Sequence, residues 1–477
     1  MPVLAVDQGT SGTKAVVVDG DGAVLALAEV PVTPRYLSDG RVEQDPMQLW
    51  DSVLAAGRQA VERAGVPIDA VGLANQGETV LAWDDADGTP LSPALVWQDR
   101  RAALLCQRLA GEAPWIAERT GLTLDPYFSA PKMAWLRESG VTGGVVTTTD
   151  TWLVHQLTGA FVGDVTTASR SLLLDLDDVA WDPELLAVFG LADERMPRLV
   201  DCDEVVGSTS AFGREVPVGG LIVDQQAALV AEGCLTPGSA KCTYGTGAFC
   251  LANTGDVAVR SRSGLASSVA WRVRGAMAYC LDGQVYTVAS AVRWLVELGL
   301  LDDARHLDEA CGDDSLGARF VPALAGLAAP WWRADARGAF VGLGLDTDRG
   351  ALVRAVVEGV AAQVAALVEA VDADLGRPLD VLRVDGGLTR SAALMQAQAD
   401  LLQRPVEVYA SPHATALGAA ALAQLAADPG ASLADVAWPW TPAAVYEPRW
   451  SADRAELFRA RWLDAVDAVV ATADGRR

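Results

Sequence analysis

The sequence predicts an α/β protein in which two similarly built domains follow each other along the chain. Three observations support this fold class. The length of 477 residues suits two domains of ordinary size. Short apolar runs typical of buried strands alternate with longer segments of helical periodicity. A strand, a glycine–threonine turn and a second strand open each half of the chain, near residues 3–18 and 240–253.

The first half is predicted to begin with an antiparallel meander whose strands are joined by glycine-containing turns, at residues 3–6, 15–18 and 23–30. Asp45 followed by Pro46 marks a helix start, because aspartate can cap the first turn and proline suits the first helical position. This helix is predicted to run to Gly65, and residues 70–74 form a further buried strand. The first domain therefore contains a mixed sheet.

The second half is predicted to continue with alternating strands and helices. The strands are expected at 240–243, 248–253, 381–384 and 406–409, and the helices at 288–298, 351–374, 390–402 and 415–426. Pro237 and neighbouring glycines mark a boundary near 233–238. We therefore expect a first domain over residues 1–236, a second over 237–430, and a helical tail over 431–477 that packs on the second domain.

The acidic composition limits the function. Lys and Arg number 37 against 62 Asp and Glu, which gives a formal net charge of −25 and a pI near 4.4. Such a charge disfavours binding to nucleic acid or to an anionic membrane. The seven cysteines are scattered without a CxxC pair, which indicates buried thiols in a reducing compartment. The N-terminus lacks the basic segment of a signal peptide, and no stretch of about 18 uncharged apolar residues could span a membrane. We therefore expect a cytoplasmic protein.

The glycine–threonine hairpins that follow Asp7 and Tyr244 carry the first chemical signal. Glycines let backbone N–H groups approach phosphate oxygens, and hydroxyl groups add further donors. Asp7 could orient Mg²⁺, which bridges phosphates in phosphoryl transfer. Either hairpin taken alone is better explained as an ordinary turn. A third glycine element at Gly387 makes phosphate binding the better interpretation, if all three face one cleft.

Ten segments in this order resemble the FGGY family of carbohydrate kinases, and within it the chain is most similar to the glycerol kinases. The resemblance extends from residue 3 to about residue 426. The segments that carry it are 7–11 (Asp-Gln-Gly-Thr-Ser), 75–79 (Asn-Gln-Gly-Glu-Thr), 96–101 (Val-Trp-Gln-Asp-Arg-Arg), 125–129 (Asp-Pro-Tyr-Phe-Ser) with Lys132, 150–153 (Asp-Thr-Trp-Leu), 164–170 (Asp-Val-Thr-Thr-Ala-Ser-Arg), 224–228 (Asp-Gln-Gln-Ala-Ala), 243–247 (Thr-Tyr-Gly-Thr-Gly), 384–387 (Val-Asp-Gly-Gly) and 415–419 (Thr-Ala-Leu-Gly-Ala).

This resemblance implies two ribonuclease-H-like domains around a central cleft, as in actin and hexokinase. The first domain would bind a polyol or sugar and the second would bind the nucleotide. ATP would lie in the cleft, with Mg²⁺ positioned by Asp7. The ATP contacts that the resemblance implies are Thr10, Ser11, Lys14, Thr246, Gly247, Ala289, Arg293, Gly387 and Ser391. Four of them depart from the glycerol kinase pattern: Lys14 replaces Arg, and Ala289, Arg293 and Ser391 replace Gly, Gln and Asn.

The resemblance also implies that Asp224 is the general base. A carboxylate within hydrogen-bond reach of a substrate hydroxyl can accept its proton as the γ-phosphoryl group arrives. From the residues alone, an aspartate after the apolar run 220–223 is also explained as a helix cap. The implied polyol contacts are Gly77, Glu78, Trp97, Tyr127, Asp224, Gln225 and Phe249. Carboxylate, phenol and amide groups suit hydroxyls, although Trp97 and Phe249 could equally be core aromatics.

Gly77 is the departure that bears most on the substrate, because glycerol kinases carry arginine at this position. Loss of up to five donors would weaken glycerol binding by about 1–3 kcal/mol. Alternatively, the vacated volume would admit a longer polyol or sugar. Arg100 or Arg101 could also reach into the pocket and replace the missing group. The sequence slightly favours a substrate other than glycerol.

We therefore predict an ATP- and Mg²⁺-dependent kinase that phosphorylates a primary hydroxyl of a small polyol or sugar. One alternative is a kinase for a four- or five-carbon polyol or ketose, such as erythritol, xylitol, xylulose or ribulose. A more remote one is a non-catalytic nucleotide-binding protein, either a pseudokinase or an actin-like ATPase. Asp7 and Asp224 argue against a pseudokinase, and the polyol-binding set argues against an actin-like role. The family also leads us to expect a homo-oligomer, either a dimer or a tetramer.

Overall fold

The computed structural model describes residues 1–474, which contain twenty-four β-strands. They are β1 (Val3–Gln8), β2 (Gly12–Val18), β3 (Val24–Pro31), β4 (Arg35–Tyr36), β5 (Val42–Gln44), β6 (Ala70–Asn75), β7 (Val80–Trp83), β8 (Ala94–Leu95), β9 (Val145–Thr148), β10 (Val162–Asp164), β11 (Leu174–Asp175), β12 (Ala180–Trp181), β13 (Arg198–Val200), β14 (Gly207–Thr209), β15 (Val216–Val223), β16 (Ala240–Tyr244), β17 (Ala248–Gly255), β18 (Ala266–Val273), β19 (Ala276–Val285), β20 (Arg319–Val321), β21 (Ala339–Val341), β22 (Leu382–Asp385), β23 (Val406–Val408) and β24 (Ala444–Tyr446).

The same residues contain fifteen α-helices. They are α1 (Pro46–Ala64), α2 (Ala103–Arg108), α3 (Ala113–Thr120), α4 (Ser129–Glu138), α5 (Thr149–Thr158), α6 (Val165–Ala168), α7 (Pro183–Val188), α8 (Asp224–Ala231), α9 (Ala289–Glu297), α10 (Leu307–Ala310), α11 (Arg349–Leu375), α12 (Ala392–Leu402), α13 (Ala414–Ala427), α14 (Leu433–Val436) and α15 (Ala452–Asp474). Helix α1 begins and ends where the sequence predicts. The Asp45 side chain accepts a hydrogen bond from the Met47 N–H at its start, and Gly65 ends the helix with φ 63°.

The first large sheet has the strand order β14-β15-β6-β1-β2-β3. Strands β1, β2 and β3 form the expected antiparallel meander, and β6 joins β1 in parallel after the crossover through α1. Alternate residues of the central strands face opposite sides, and both sides are buried. The predicted mixed sheet is therefore confirmed.

The second large sheet has the order β18-β19-β17-β16-β22-β23-β24 and repeats this plan. Strands β16 and β17 form a hairpin, β19 and β18 extend it in antiparallel fashion, and β22 joins β16 in parallel. The duplicated α/β architecture predicted from the two opening hairpins is confirmed. Each hairpin turn thus lies at the equivalent end of its own sheet.

Helices α8 and α13 lie between the two large sheets. Helix α13 packs on β1, β6 and β15 of the first sheet, although its residues fall within the predicted second domain. Small residues allow this close approach: a Cβ on Gly72 would lie 2.5 Å from the carbonyl oxygen of Ala419. Helix α8 packs on both α13 and the second sheet. One buried cluster, which includes Val3, Leu229 and Leu251, therefore joins the two lobes.

The C-terminal part of the described chain packs on the second lobe. Helix α15 contacts α12 and β20, and β24 adds an edge strand to the second sheet. Within residues 1–474, α11 is the one helix long and apolar enough to cross a membrane, and 83% of its apolar window is buried inside the protein. This burial is consistent with a soluble protein, in which α11 is a core helix.

Candidate active site

The two glycine–threonine hairpins are closed by short backbone hydrogen bonds. Gly9 N–H donates to Gly12 C=O over 3.0 Å, and Gly245 N–H donates to Gly247 C=O over 2.8 Å. Gly247 is required sterically, because a Cβ there would lie 2.4 Å from the carbonyl oxygen of Val285. The tight backbone leaves N–H groups close to the space that a phosphate would occupy.

The second hairpin is fixed to the start of helix α9. The carbonyl of Thr246 accepts the N–H of Val288 over 3.0 Å, and the carbonyl of Gly245 accepts the N–H of Ala289 over 3.1 Å. Ser290 also donates its hydroxyl to the Thr246 carbonyl over 3.1 Å. The Thr246 side chain itself remains exposed, so its hydroxyl is available to a ligand in the cleft.

The third glycine element lies beside the second hairpin, because β22 and β16 are parallel neighbours. Gly386 has φ 97°, and a Cβ there would lie 2.5 Å from the carbonyl oxygen of Tyr244. A Cβ on Gly387 would meet no atom within 4 Å. The structure therefore brings Gly387 and the second hairpin together with an open approach, as the sequence predicts.

The hydroxyl of Thr10 joins the first hairpin to Trp97, which is predicted to contact the polyol. It donates to Gln76 Oε1 over 3.0 Å and accepts from the indole N–H of Trp97 over 2.9 Å. Gln44 donates to the Thr10 carbonyl over 2.7 Å, and Gln76 donates to Gln44 over 2.8 Å. The Thr10 hydroxyl is thus engaged within the protein, whereas the neighbouring Ser11 is exposed. The roles of both residues in phosphate binding stay predictions.

Asp224 lies in the first turn of α8 and does not cap it. Val223 occupies the N-cap position without a side-chain hydrogen bond, and Asp224 Oδ1 accepts the N–H of Gln225 over 2.7 Å. Burial, together with the negative charges of Asp7 and Glu78, raises the pKa of Asp224 to about 7. The helix-cap interpretation of Asp224 is therefore wrong, and its carboxylate faces two other acidic groups.

Asp7 lies on β1, in the same acidic region as Asp224. Burial raises its pKa to about 6, which Lys14 opposes and Glu29 supports. Lys14 is the residue directly opposite Asp7 on β2. Carboxylate oxygens suit Mg²⁺, which binds through one or two carboxylates together with substrate phosphates. Residues 1–474 offer no group of three or more His, Cys, Asp or Glu side chains that could hold a metal. The chemistry of this region therefore fits a cation shared between a carboxylate and ATP.

Four of the side chains predicted to bind the polyol lie close together: Glu78, Trp97, Tyr127 and Phe249. The ring centroids of Trp97 and Tyr127 are 5.6 Å apart, and those of Trp97 and Phe249 are 6.2 Å apart. Glu78 is 4% exposed and has φ 56°, a strained left-handed conformation for a residue other than glycine. The aromatic rings and this carboxylate therefore surround the same space.

Arg170 is the pocket residue that the sequence reasoning missed. Its guanidinium Nε donates to Glu78 Oε1 over 2.6 Å, and it also forms an ion pair with Asp282. The same guanidinium lies 5.9 Å from the ring centroid of Tyr127. Arg170 is the last residue of segment 164–170. The pattern of this segment indicates the family, but it does not show where the Arg170 side chain lies. The buried side chains of Glu78, Arg170 and Asp282 thus form an ionic chain that crosses from the first lobe to the second.

Arg100 and Arg101 do not reach Glu78. Arg100 pairs with Asp125 over 2.9 Å, and Arg101 pairs with Glu43 over 2.9 Å. The hypothesis that either residue replaces the missing arginine is therefore wrong. The guanidinium that contacts Glu78 belongs to Arg170.

Lys241 is a second residue that the sequence reasoning missed. It is fully buried on β16, and its ammonium donates to Gln225 Oε1 over 2.5 Å and to Thr243 Oγ1 over 2.8 Å. Its charge opposes the rise in the pKa of Asp224. The sequence around Lys241 gives no signal of this contact, because Gln225 comes from the other lobe.

Two predicted ATP contacts have side chains that are engaged elsewhere or exposed. Arg293 is exposed and lies 3.8 Å from Glu297 on the same helix. The hydroxyl of Ser391 accepts the N–H of Leu394 over 3.2 Å as the N-cap of α12, and it also bonds to Asp308. Their roles toward the nucleotide stay predictions.

Comparison with known proteins decides the family. The FGGY carbohydrate kinase N-terminal domain model matches residues 2–231, and the C-terminal domain model matches residues 240–427. The chain belongs to the FGGY family of carbohydrate kinases. As an FGGY kinase, the protein is a phosphotransferase for a sugar or polyol that uses a nucleotide. The predicted family resemblance, fold class and enzyme class are therefore confirmed.

Several relatives of this FGGY kinase are similar over nearly their whole length. The glycerol kinase of Alkalilimnicola ehrlichii is 42% identical, with 97% of each chain covered. The glycerol kinase of Thermus brockianus is also 42% identical, with 98% of each chain covered. Among solved structures, Plasmodium falciparum glycerol kinase with ADP has a TM-score of 0.92 at 30% identity and 98% coverage of each chain. Xylulose kinase from Rhodospirillum rubrum has a TM-score of 0.87 at 26% identity, with 100% of this chain and 99% of that chain covered.

Proposed function

We propose that this FGGY kinase transfers the γ-phosphoryl group of ATP to a primary hydroxyl of glycerol, with Asp224 as the general base. The observation that carries the proposal is the position of Asp224. Within residues 1–474, its carboxylate accepts one hydrogen bond, from the Gln225 N–H, and it interacts electrostatically with Asp7 near the first hairpin and with Glu78. Asp224 is thus near both the first hairpin and the carboxylate of Glu78, beside which a substrate hydroxyl would bind.

The pKa of Asp224 suits this role. A general base works best when its pKa is near the operating pH, because it is then ionised yet still basic enough to accept a proton. Burial and the carboxylates of Asp7 and Glu78 raise this pKa to about 7, while the buried Lys241 keeps it from rising further. The carboxylate accepts the hydroxyl proton as the substrate oxygen bonds to phosphorus and the bond to the departing ADP breaks.

Asp7 would hold Mg²⁺ together with the phosphates of ATP. When bound, the cation supplies positive charge that offsets the charge spread over the transferring phosphoryl oxygens. The exposed hydroxyls of Ser11 and Thr246 in the two hairpins and the Lys14 ammonium would support the same phosphates. Closure of the lobes over the substrates would exclude water and so limit hydrolysis of ATP.

The relatives support glycerol over the four- or five-carbon substrates that Gly77 suggested. Two features of the pocket agree. Arg170 places a guanidinium beside Glu78, so this carboxylate is paired without an arginine at position 77. On one side Gly77 is close to a neighbouring side chain, because a Cβ there would lie 3.0 Å from Val223 Cγ2. The inference that an empty volume at Gly77 admits a longer substrate therefore loses its main support.

A coupled assay of ADP release tests the substrate. With Mg-ATP, we expect glycerol to give a higher kcat/KM than erythritol, xylitol, xylulose or ribulose. Asp224→Asn should abolish turnover with all of them while nucleotide binding, measured by calorimetry, is retained. A variant that keeps its turnover would refute the assignment of Asp224, and a preference for a larger compound would refute glycerol.

Gly77→Arg probes the same pocket, with Gly77→Ala as the control for the added Cβ alone. If Arg170 already supplies the needed guanidinium, Gly77→Arg should not improve glycerol turnover beyond Gly77→Ala. An improvement that is specific to arginine would mean that Arg170 does not compensate.

We further propose that the protein acts in the cytoplasm and forms a homo-oligomer, either a dimer or a tetramer. The acidic composition and the burial of helix α11 support a cytoplasmic enzyme. Light scattering of the purified full chain would decide the oligomeric state.

A further inference from the structure

A row of polar and aromatic side chains crosses the second sheet on the face toward the first lobe. Thr243 on β16 is directly opposite Asp385 on β22 and Phe249 on β17, and Phe249 is directly opposite Gln284 on β19. Residues directly opposite on neighbouring strands share one face of a sheet, and their side chains are in contact range. Gln284 therefore lies next to Phe249 on the face that carries the predicted pocket.

Gln284 is buried without a hydrogen-bond partner for its amide oxygen. The residue is 4% exposed, and no donor within residues 1–474 reaches its Oε1. Buried polar atoms are nearly always paired, since leaving one unpaired lowers stability. An amide of this kind beside a substrate pocket points to a partner that belongs to the bound state.

The neighbours of Gln284 are the two walls of the pocket. On one side, Phe249 contacts Trp97 edge to face, with ring centroids 6.2 Å apart. On the other, Asp282 lies two residues earlier on the same strand, hence on the same face, and forms an ion pair with Arg170. Asp282 Oδ1 also has no hydrogen-bond partner in the described part of the chain. Gln284 thus lies between the aromatic wall and the ionic chain that ends at Glu78.

We propose that Gln284 is a specificity-determining residue that hydrogen-bonds a hydroxyl of the acceptor other than the one phosphorylated. An amide offers both a donor and an acceptor, as a hydroxyl requires. Asp224 and Glu78 bind from the first lobe, so Gln284 adds a contact from the second lobe and the substrate bridges the two. The inference rests on the proposed function, because it takes a small polyol as the acceptor.

Gln284→Leu tests this contact, because leucine keeps most of the side-chain volume and removes the polar atoms. With glycerol, we expect KM to rise about threefold to tenfold, which corresponds to the loss of one neutral hydrogen bond. We expect kcat to change much less. Propane-1,2-diol and propane-1,3-diol each lack one of the glycerol hydroxyls. The effect of Gln284→Leu should disappear with the diol that lacks the hydroxyl bound by Gln284 and persist with the other.

Gln363→Leu is the matched control. Gln363 is also fully buried with an unpaired amide, but it lies on α11, which covers the opposite face of the second sheet. This control should leave the KM for glycerol unchanged. If Gln284→Leu does not fold, Gln284→Asn is the substitute, because it shortens the side chain by one methylene and moves the amide away from the substrate. The same rise in KM and the same pattern with the two diols are then expected.

The outcomes separate this inference from the proposed function. A wild-type protein that does not phosphorylate glycerol refutes the proposed function. A wild-type protein that does so, together with an unchanged KM in Gln284→Leu, refutes the role of Gln284. An equal rise in KM with glycerol and both diols also refutes it, because the residue would then act only by shaping the pocket.

Discussion

Asp224→Asn should make the protein more stable as well as inactive. The pKa of Asp224 is raised from its usual 3.8 to about 7, so the folded state binds this proton more tightly than the unfolded state. Ionisation of Asp224 therefore destabilises the fold, increasingly as pH rises from 3.8 and fully above about 7. A difference of about three pH units corresponds to about 4 kcal/mol at pH 8. Asparagine avoids this cost and can still accept the N–H of Gln225.

Urea unfolding followed by tryptophan fluorescence measures the effect. We expect Asp224→Asn to increase the free energy of unfolding by about 4 kcal/mol at pH 8 and by about 2 kcal/mol at pH 5, where wild-type Asp224 is already protonated in the folded state. Asp45→Asn is the control, because Asp45 is exposed and asparagine caps a helix equally well. Its effect should be small at both pH values.

Two results would refute this reasoning. An equal stabilisation at pH 5 and pH 8 would mean that Asp224→Asn acts through packing and not through the charge of the carboxylate. A destabilised variant at pH 8 would mean that the ionised carboxylate is paired in the folded state, so that burial beside Asp7 and Glu78 does not raise its pKa.

Four further outcomes are expected. The kcat/KM for glycerol should fall about tenfold for each pH unit below about 7, because the base must be ionised, and a flat profile from pH 5 to 8 would argue against Asp224. Lys241→Met should move the midpoint of that profile upward, since a positive charge that lowers the pKa of Asp224 is lost. Arg170→Lys should lower kcat/KM for glycerol about tenfold with a smaller effect on the KM for ATP, because lysine cannot contact two carboxylates with one planar group. Gly247→Ala should raise the KM for ATP about tenfold, because its Cβ would lie 2.4 Å from the carbonyl oxygen of Val285 and displace the hairpin.

The sequence was sufficient for elements whose signals are local. The strands of the first meander were predicted to within about three residues, because buried apolar runs end at turns rich in glycine. Helix α1 was bounded correctly by Asp45 and Gly65, which satisfy the free backbone groups at its two ends. These features depend on residues a few positions apart.

The contacts missed in the pocket come from distant parts of the chain. Arg170 meets Glu78 across 92 positions and Lys241 meets Gln225 across 16, over the boundary between the lobes. Periodicity shows that a residue is buried but not what it is buried against. For Ser391 the family resemblance implies a nucleotide contact, and the structure shows its hydroxyl as the cap of helix α12. The nucleotide contact stays a prediction.

The position of helix α13 has a consequence for how the chain folds during synthesis. One face of the first sheet is covered by this helix, whose residues 414–427 are made after most of the second lobe. A nascent chain that has passed residue 236 therefore still exposes the apolar face formed by Val3, Ala5 and Ala74. The first lobe completes its folding only when the ribosome has released nearly the whole protein. Residues 1–236 produced alone should aggregate, and the two lobes should unfold as one cooperative unit.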